Sequence, residues 1–148
     1  MYFNQKNNFY HGIMFHHFHD GKKHLKGQGS ITKDEFYKIL NFIGIKNILN
    51  ADIFFEKSKN NKLKDNEVCI TFDDSVKCQI DIALPVLEDL KIKSFFFVYT
   101  SIFEGKPDYL ELFRHFRMNY FESVDEFYDS FYEVLNKDLK SFFKKKKY

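Results

Sequence analysis

The chain has 148 residues, room for one domain with a buried core. Its 23 basic and 21 acidic side chains are intermixed and leave a formal net charge of +2, so no basic face of the kind nucleic acids need is evident and nucleic acid is not an expected partner. Twenty Phe accompany abundant Lys, Asn and Ile and no Trp, a bias that AT-rich coding produces and that carries no functional weight.

Residues 1–8 are polar and lack the apolar core of a secretory signal, and no later run approaches the roughly 18 apolar residues of a membrane span. These features predict a cytoplasmic protein with reduced thiols. Cys69 and Cys78 show no Cys-x-x-Cys spacing, which predicts buried thiols rather than a disulfide or a zinc knuckle.

The first element spans 11–20, where Ile13, Met14, Phe15 and Phe18 suit a buried strand. A period of two sets His17 and His19 on one face and His16 with Met14 and Phe18 on the other. A His-x-His pair at a strand end can hold a metal, because both imidazoles project the same way. The alternative is that these histidines only hydrogen-bond at the end of the sheet. Residues 21–29, rich in Lys and Gly, read as a loop. Thr32 with Glu35 makes a capping box for a helix carrying Phe36, Ile39, Leu40 and Ile43, and Gly44 is placed to end it. A short strand is expected over 45–49, a short helix over 51–58, and a polar connector over 57–66.

Residues 68–72 read as a short buried strand, β-branched and aromatic, with Asp73 and Asp74 standing where it ends. In parallel α/β folds that end of a strand is where ligands bind and chemistry is done. Both carboxylates can serve one site only if the chain turns there, since neighbours on a strand point to opposite faces. The plainer alternative is that Asp74 caps the following helix and Asp73 is solvated. An amphipathic helix over 78–90 and a strand over 94–99 complete a βαβ unit. Beyond it, residues 105–108 break the chain and start a helix with Leu110, Phe113 and Phe116. His115 on that helix has no acidic or histidine partner at i+3 or i+4 and reads as a surface or packing residue. Ser123 and Glu126 form a second capping box, followed by an apolar stripe of Phe127, Phe131, Val134, Leu135 and Leu139, either core or a surface for further chain. Lys144 to Lys147 form a short basic tail, too small to imply nucleic acid or a membrane.

Thr71-Phe72-Asp73-Asp74, then Pro85-Val86-Leu87, then Ser94-Phe95-Phe96 follow one another as in the polysaccharide deacetylase family, the NodB-homology domain of carbohydrate esterase family 4, which this segment resembles. Ser75 stands where the family usually has Gly, and Lys93-Ser94 where it often has Ala-Thr. The resemblance extends loosely to the first strand, where such deacetylases often carry a Tyr-His or His-His pair. It implies a distorted (β/α) barrel and a hydrolase that removes an N-acetyl group from a carbohydrate with a divalent metal, commonly zinc. Carried over by position, Asp73 would be the general base and Asp74 a metal ligand, with His17 and His19 as possible further site residues.

The family's metal histidines come from a later His-Ser/Thr-x-x-His motif, and after Asp74 this sequence has one histidine, His115. The expectation is therefore an α/β chain forming the N-terminal portion of such a barrel, with a helical region over 103–148. It is expected to be incomplete and inactive by itself, and to require a missing C-terminal half. A frame slip at the adenine-rich codons of Lys144 to Lys147 would end the chain early. The other reading is a non-catalytic, carbohydrate- or partner-binding remnant of the same fold.

Overall fold

The computed structural model describes residues 11–27 and 29–135. Readings that fall on 1–8, Leu139 and Lys144 to Lys147 lie outside them. The chain divides between Tyr99 and Thr100 into two units.

The first unit is mixed α/β. Strands β1 (His11–Phe15), β2 (Val68–Phe72) and β3 (Phe95–Phe96) form one three-stranded sheet in the order β1-β2-β3. All pairing is parallel, with Phe15 opposite Phe72 and Phe72 opposite Phe96. Parallel neighbours need crossovers. Helices α1 (Lys33–Ile43) and α2 (Ala51–Lys59) connect β1 to β2, and a helical segment ending in α3 (Leu84–Asp89) connects β2 to β3. The central strand β2 buries Cys69, Ile70 and Phe72, as its unbroken apolar run requires. Phe15, Phe18 and Phe36 surround Phe72, with Phe36 edge-on to Phe15 at 4.9 Å and to Phe18 at 5.1 Å, and Phe96 stacks on Phe72 at 4.6 Å. Burying one such ring contributes about 1.5–3 kcal/mol. Aromatic abundance thus serves packing beneath the C-terminal end of the sheet.

Several local expectations hold. The Thr32–Glu35 capping box forms with both reciprocal bonds, and Gly44 ends α1 with its N–H on the carbonyls of Leu40 and Asn41. Both cysteines are free and buried. Burial pushes the Cys69 thiol up to about 11, so it is inert as a nucleophile at neutral pH.

Three expectations need correction. Residues 45–49 do not form a strand: Ile45–Asn47 is a 3-10 turn, and Ile48 makes a single bridge to Val68. Gly44, at φ 88°, tightens the chain there, so the apolar run is spent in a turn. The strand expected over 94–99 shrinks to Phe95–Phe96, and Phe97, Val98 and Tyr99 are exposed. The first strand stops at Phe15, with Met14 exposed; Phe18 is buried from a separate bridge to Ile31. A period of two therefore cannot be continued from 11 through 19.

Between β2 and β3 the helix opens with a π-helical turn, Gln79–Ala83, in which the Leu84 N–H reaches the Gln79 carbonyl. Pro85 explains it. A proline has no N–H for the carbonyl four residues back and its ring clashes with that carbonyl, and a widened turn relieves both problems.

The second unit is helical where described. After a 3-10 segment, Thr100–Glu104, come α4 (Tyr109–Tyr120) and α5 (Val124–Val134). Asp108 caps α4 by accepting from the N–H groups of Leu110 and Glu111, and Ser123 caps α5 by accepting from that of Glu126. Of the apolar stripe on α5, Phe127 is buried while Phe131 and Val134 are exposed. His115 is exposed and hydrogen-bonds with Asn119. Among the described residues no helix is long and apolar enough to cross a membrane.

Candidate functional site

In a parallel sheet all strands end on the same side, and here the residues that follow them, His16, Asp73 and Phe97, meet at one edge. The Asp73 N–H donates to the Phe15 carbonyl (3.3 Å), and the Phe97 N–H to that of Phe72 (2.8 Å). Past Asp73 the chain turns sharply. Asp74 and Ser75 have φ of 72° and 53°, two successive left-handed residues without glycine. Such a conformation costs about 1–2 kcal/mol per residue and persists only where surrounding contacts impose it. At Ser75 one such contact is visible, its hydroxyl donating to the Phe97 carbonyl (3.1 Å). That left-handed turn is also why glycine would suit position 75.

The turn brings Asp74 back over the end of β1. His16 Nδ1 donates to Asp74 Oδ2 at 2.9 Å. A ring nitrogen of His17 and a carboxylate oxygen of Asp74 also lie within 4.8 Å of each other. The His16 and His17 rings are near-parallel, 18° apart, with centroids separated by 6.3 Å. Asp73 is half-buried, its backbone held on one side by Phe15 and on the other by Gln79, whose amide donates to its carbonyl.

His19 sits elsewhere. Its N–H donates to the Ile31 carbonyl (2.9 Å), and its side chain lines a cavity with Thr32, Asp34, Asp81 and Pro85. Asp81 there is committed to structure. Lys23 Nζ and His24 Nε2 lie 2.6 and 2.8 Å from its Oδ2 and hold its carboxyl at about 2, tying the loop after β1 to the helix after β2. The structure thus brings His17 to Asp74 and sets His19 among other partners.

A strand running on to residue 19 would set His16 on the face opposite His17 and His19; β1 instead ends at Phe15, and the chain carries His16 to Asp74. With Phe15 opposite Phe72 as the last register pair, the residues that follow are His16 on one strand and Asp73 on the other. Gln79 also escapes the sequence reading, although a Gln on the stripe of Ile82, Ala83, Val86 and Leu87 is a polar residue in an apolar series.

A divalent metal fits these residues in kind. Asp74 and His17 offer the oxygen and nitrogen that zinc takes, and hydrogen bonding from His16 steadies the carboxylate as outer partners of metal ligands do. Among the described residues of the first unit these two are the donors at this place, and catalytic zinc takes three protein ligands.

Residues 60–118 match the family model described as polysaccharide deacetylase, a segment that contains Thr71 to Asp74, Pro85 and β3. Over that segment the chain carries a polysaccharide deacetylase domain pattern. No curated protein and no solved structure matches the chain.

Proposed function

We propose that the strand-end site belongs to a metal-dependent hydrolase that removes N-acetyl groups from a carbohydrate. The observation that carries the reading is the pair Asp73-Asp74 at the C-terminal end of β2, inside the matched segment, with His16 and His17 against Asp74. The family is generally metal-dependent. A bound divalent cation would supply Lewis acidity toward the acetamide carbonyl and lower the pKa of water.

The chain's own residues take these roles. Asp74 and His17 contribute two donors. His16 occupies Asp74 Oδ2 and fixes the carboxylate, leaving Oδ1 for the cation. Asp73, one residue earlier and with its backbone pinned on both sides, serves as general base toward the attacking water. His19 has no part in this set. The three-stranded sheet is read as the N-terminal portion of a distorted (β/α) barrel, and the domain as 1–148 with a helical region over 103–148, of which 136–148 lie outside the described residues. With two donors from the first unit and no proton donor assigned, the chain alone is expected not to turn over.

That the first unit's described residues bring two donors here, one fewer than catalytic zinc takes, also favours a second reading, a carbohydrate- or partner-binding remnant that works without metal. Calorimetric titration of the full chain with N-acetylglucosamine oligomers, with and without zinc, separates the two, and acetate release is measured alongside. The hydrolase reading expects oligomer binding that requires zinc and weakens at least tenfold in Asp74→Asn, with no acetate formed. Zinc-independent binding, unchanged in Asp74→Asn, would establish the remnant instead. Acetate release by the chain alone would contradict the two-donor account.

A further inference from the structure

Gln79 is the one polar residue among the described residues whose side chain is fully buried, at 1% exposure. Its Nε2 donates to the His16 carbonyl at 2.8 Å and to the Asp73 carbonyl at 2.5 Å. A carboxamide nitrogen carries two hydrogens, so both are used, and each goes to a different strand end. His16 is the first residue after β1 and Asp73 the first after β2, immediately past the last register pair, Phe15 and Phe72.

Backbone pairing between the two strands runs out here. Its final bond, Asp73 N–H to the Phe15 carbonyl, is already stretched to 3.3 Å. The carbonyls of His16 and Asp73 lie beyond it, and burial makes unpaired carbonyls costly. The Gln79 amide takes the place of the next rung and spans both strands at once. Glu in its place would set carboxylate oxygens against two carbonyl oxygens, and Leu or Met would leave both carbonyls without a donor.

We propose that Gln79 is the positioning residue of the site: its amide clamps the backbone of His16 to that of Asp73, and so sets the imidazoles of His16 and His17 against Asp74. The role is one of geometry, since Gln79 spends both hydrogens on backbone and does not reach the reacting groups. It also gives the π-helical turn a purpose, because Gln79 opens that turn and the widened backbone begins where the clamp is anchored. The inference rests on the metal-dependent reading for its consequence, but the clamp itself does not depend on a metal.

The test compares the full-length wild type with Gln79→Met, which keeps the volume and removes both donors, and Gln79→Asn, which keeps the amide on a shorter stem. Two quantities are read. One is the ring-nitrogen NMR signature of the hydrogen bond from His16 Nδ1 to Asp74 in metal-free protein; the other is zinc affinity by titration. The clamp predicts that folded Gln79→Met loses the His16 signature and binds zinc about 10- to 100-fold more weakly. Gln79→Asn should fall between it and the wild type in both. A Gln79→Met protein of lowered melting temperature but unchanged His16 signature and zinc affinity would show a structural residue only and overturn the proposal. Should Gln79→Met fail to fold, Gln79→Asn decides on the same two readings. If the wild type takes up no zinc, the metal reading fails, and the His16 signature alone decides the clamp.

Discussion

The two units answer to the same sequence rules and end differently. Residues 11–99 contain every buried apolar side chain among the described residues except Phe127, whereas α4 and α5 leave Tyr109, Leu110, Tyr120 and Val134 largely exposed. Both regions have capped helices and an apolar periodicity. Among the described residues, what the first has and the second lacks is a sheet against which the apolar faces close. Periodicity specifies a helix and its apolar face; burial of that face depends on a partner surface.

The sharpest way to test this contrast is to remove one ring from each unit. Phe72→Ala opens a cavity at the centre of a cluster of four other Phe rings, and a loss of about 3–5 kcal/mol is expected in denaturant unfolding. Phe127 packs against Phe113, Phe121 and Phe131 at 5.2–6.0 Å, among residues that stay partly open to solvent. Phe127→Ala should therefore cost less, about 1.5–3 kcal/mol, the transfer value of a ring with little cavity added. Equal losses would mean that the two units are equally well packed.

Smaller effects sharpen the picture of the first unit. Thr32→Ala removes the hydroxyl half of the capping box, leaving the Thr32 N–H bond to Glu35, and should cost about 1 kcal/mol, read as a shift in the same unfolding curve. Ser75→Gly trades a left-handed serine and its bond to Phe97 for a residue at ease at positive φ. Strain relief and the lost hydrogen bond are each about 1 kcal/mol and oppose one another, so stability should change by less than about 0.5 kcal/mol. A large gain would show that the serine hydroxyl contributes nothing.

Asp81 makes the mildest prediction. Its carboxyl is held below the usual 3.8, at about 2, by Lys23 and His24. A depressed acid adds stability above its unfolded value, and that stability disappears as pH falls through the folded value. Asp81→Asn should thus be less stable than wild type near pH 6, and the two should converge as pH drops from about 4 to 2. A gap that persists at pH 2 would place the effect in packing rather than charge.

The β2 strand, the Asp73-Asp74 pair at its end, the Thr32 and Ser123 caps and the buried thiols were all legible in the sequence, because each depends on local residue type and spacing. Where β1 and β3 stop was not. Phe18 and Val98 have strand propensity yet lie outside β1 and β3, since strand length is set by the neighbour available for pairing. That error carried into the site, pairing His17 with His19 where the structure sets His16 and His17 beside Asp74. The π-helical turn was hidden as well, although Pro85 within an amphipathic run marked where regular helix geometry had to give way.

The central claim, that His17 and Asp74 form a metal-binding centre steadied by His16, is tested most directly by mapping backbone and imidazole NMR shifts of the full chain during a zinc titration. The account predicts changes confined to residues 16–17 and 73–74 and abolished by Asp74→Asn. Changes centred on His19, Asp34 and Asp81, or none at millimolar zinc, would contradict it.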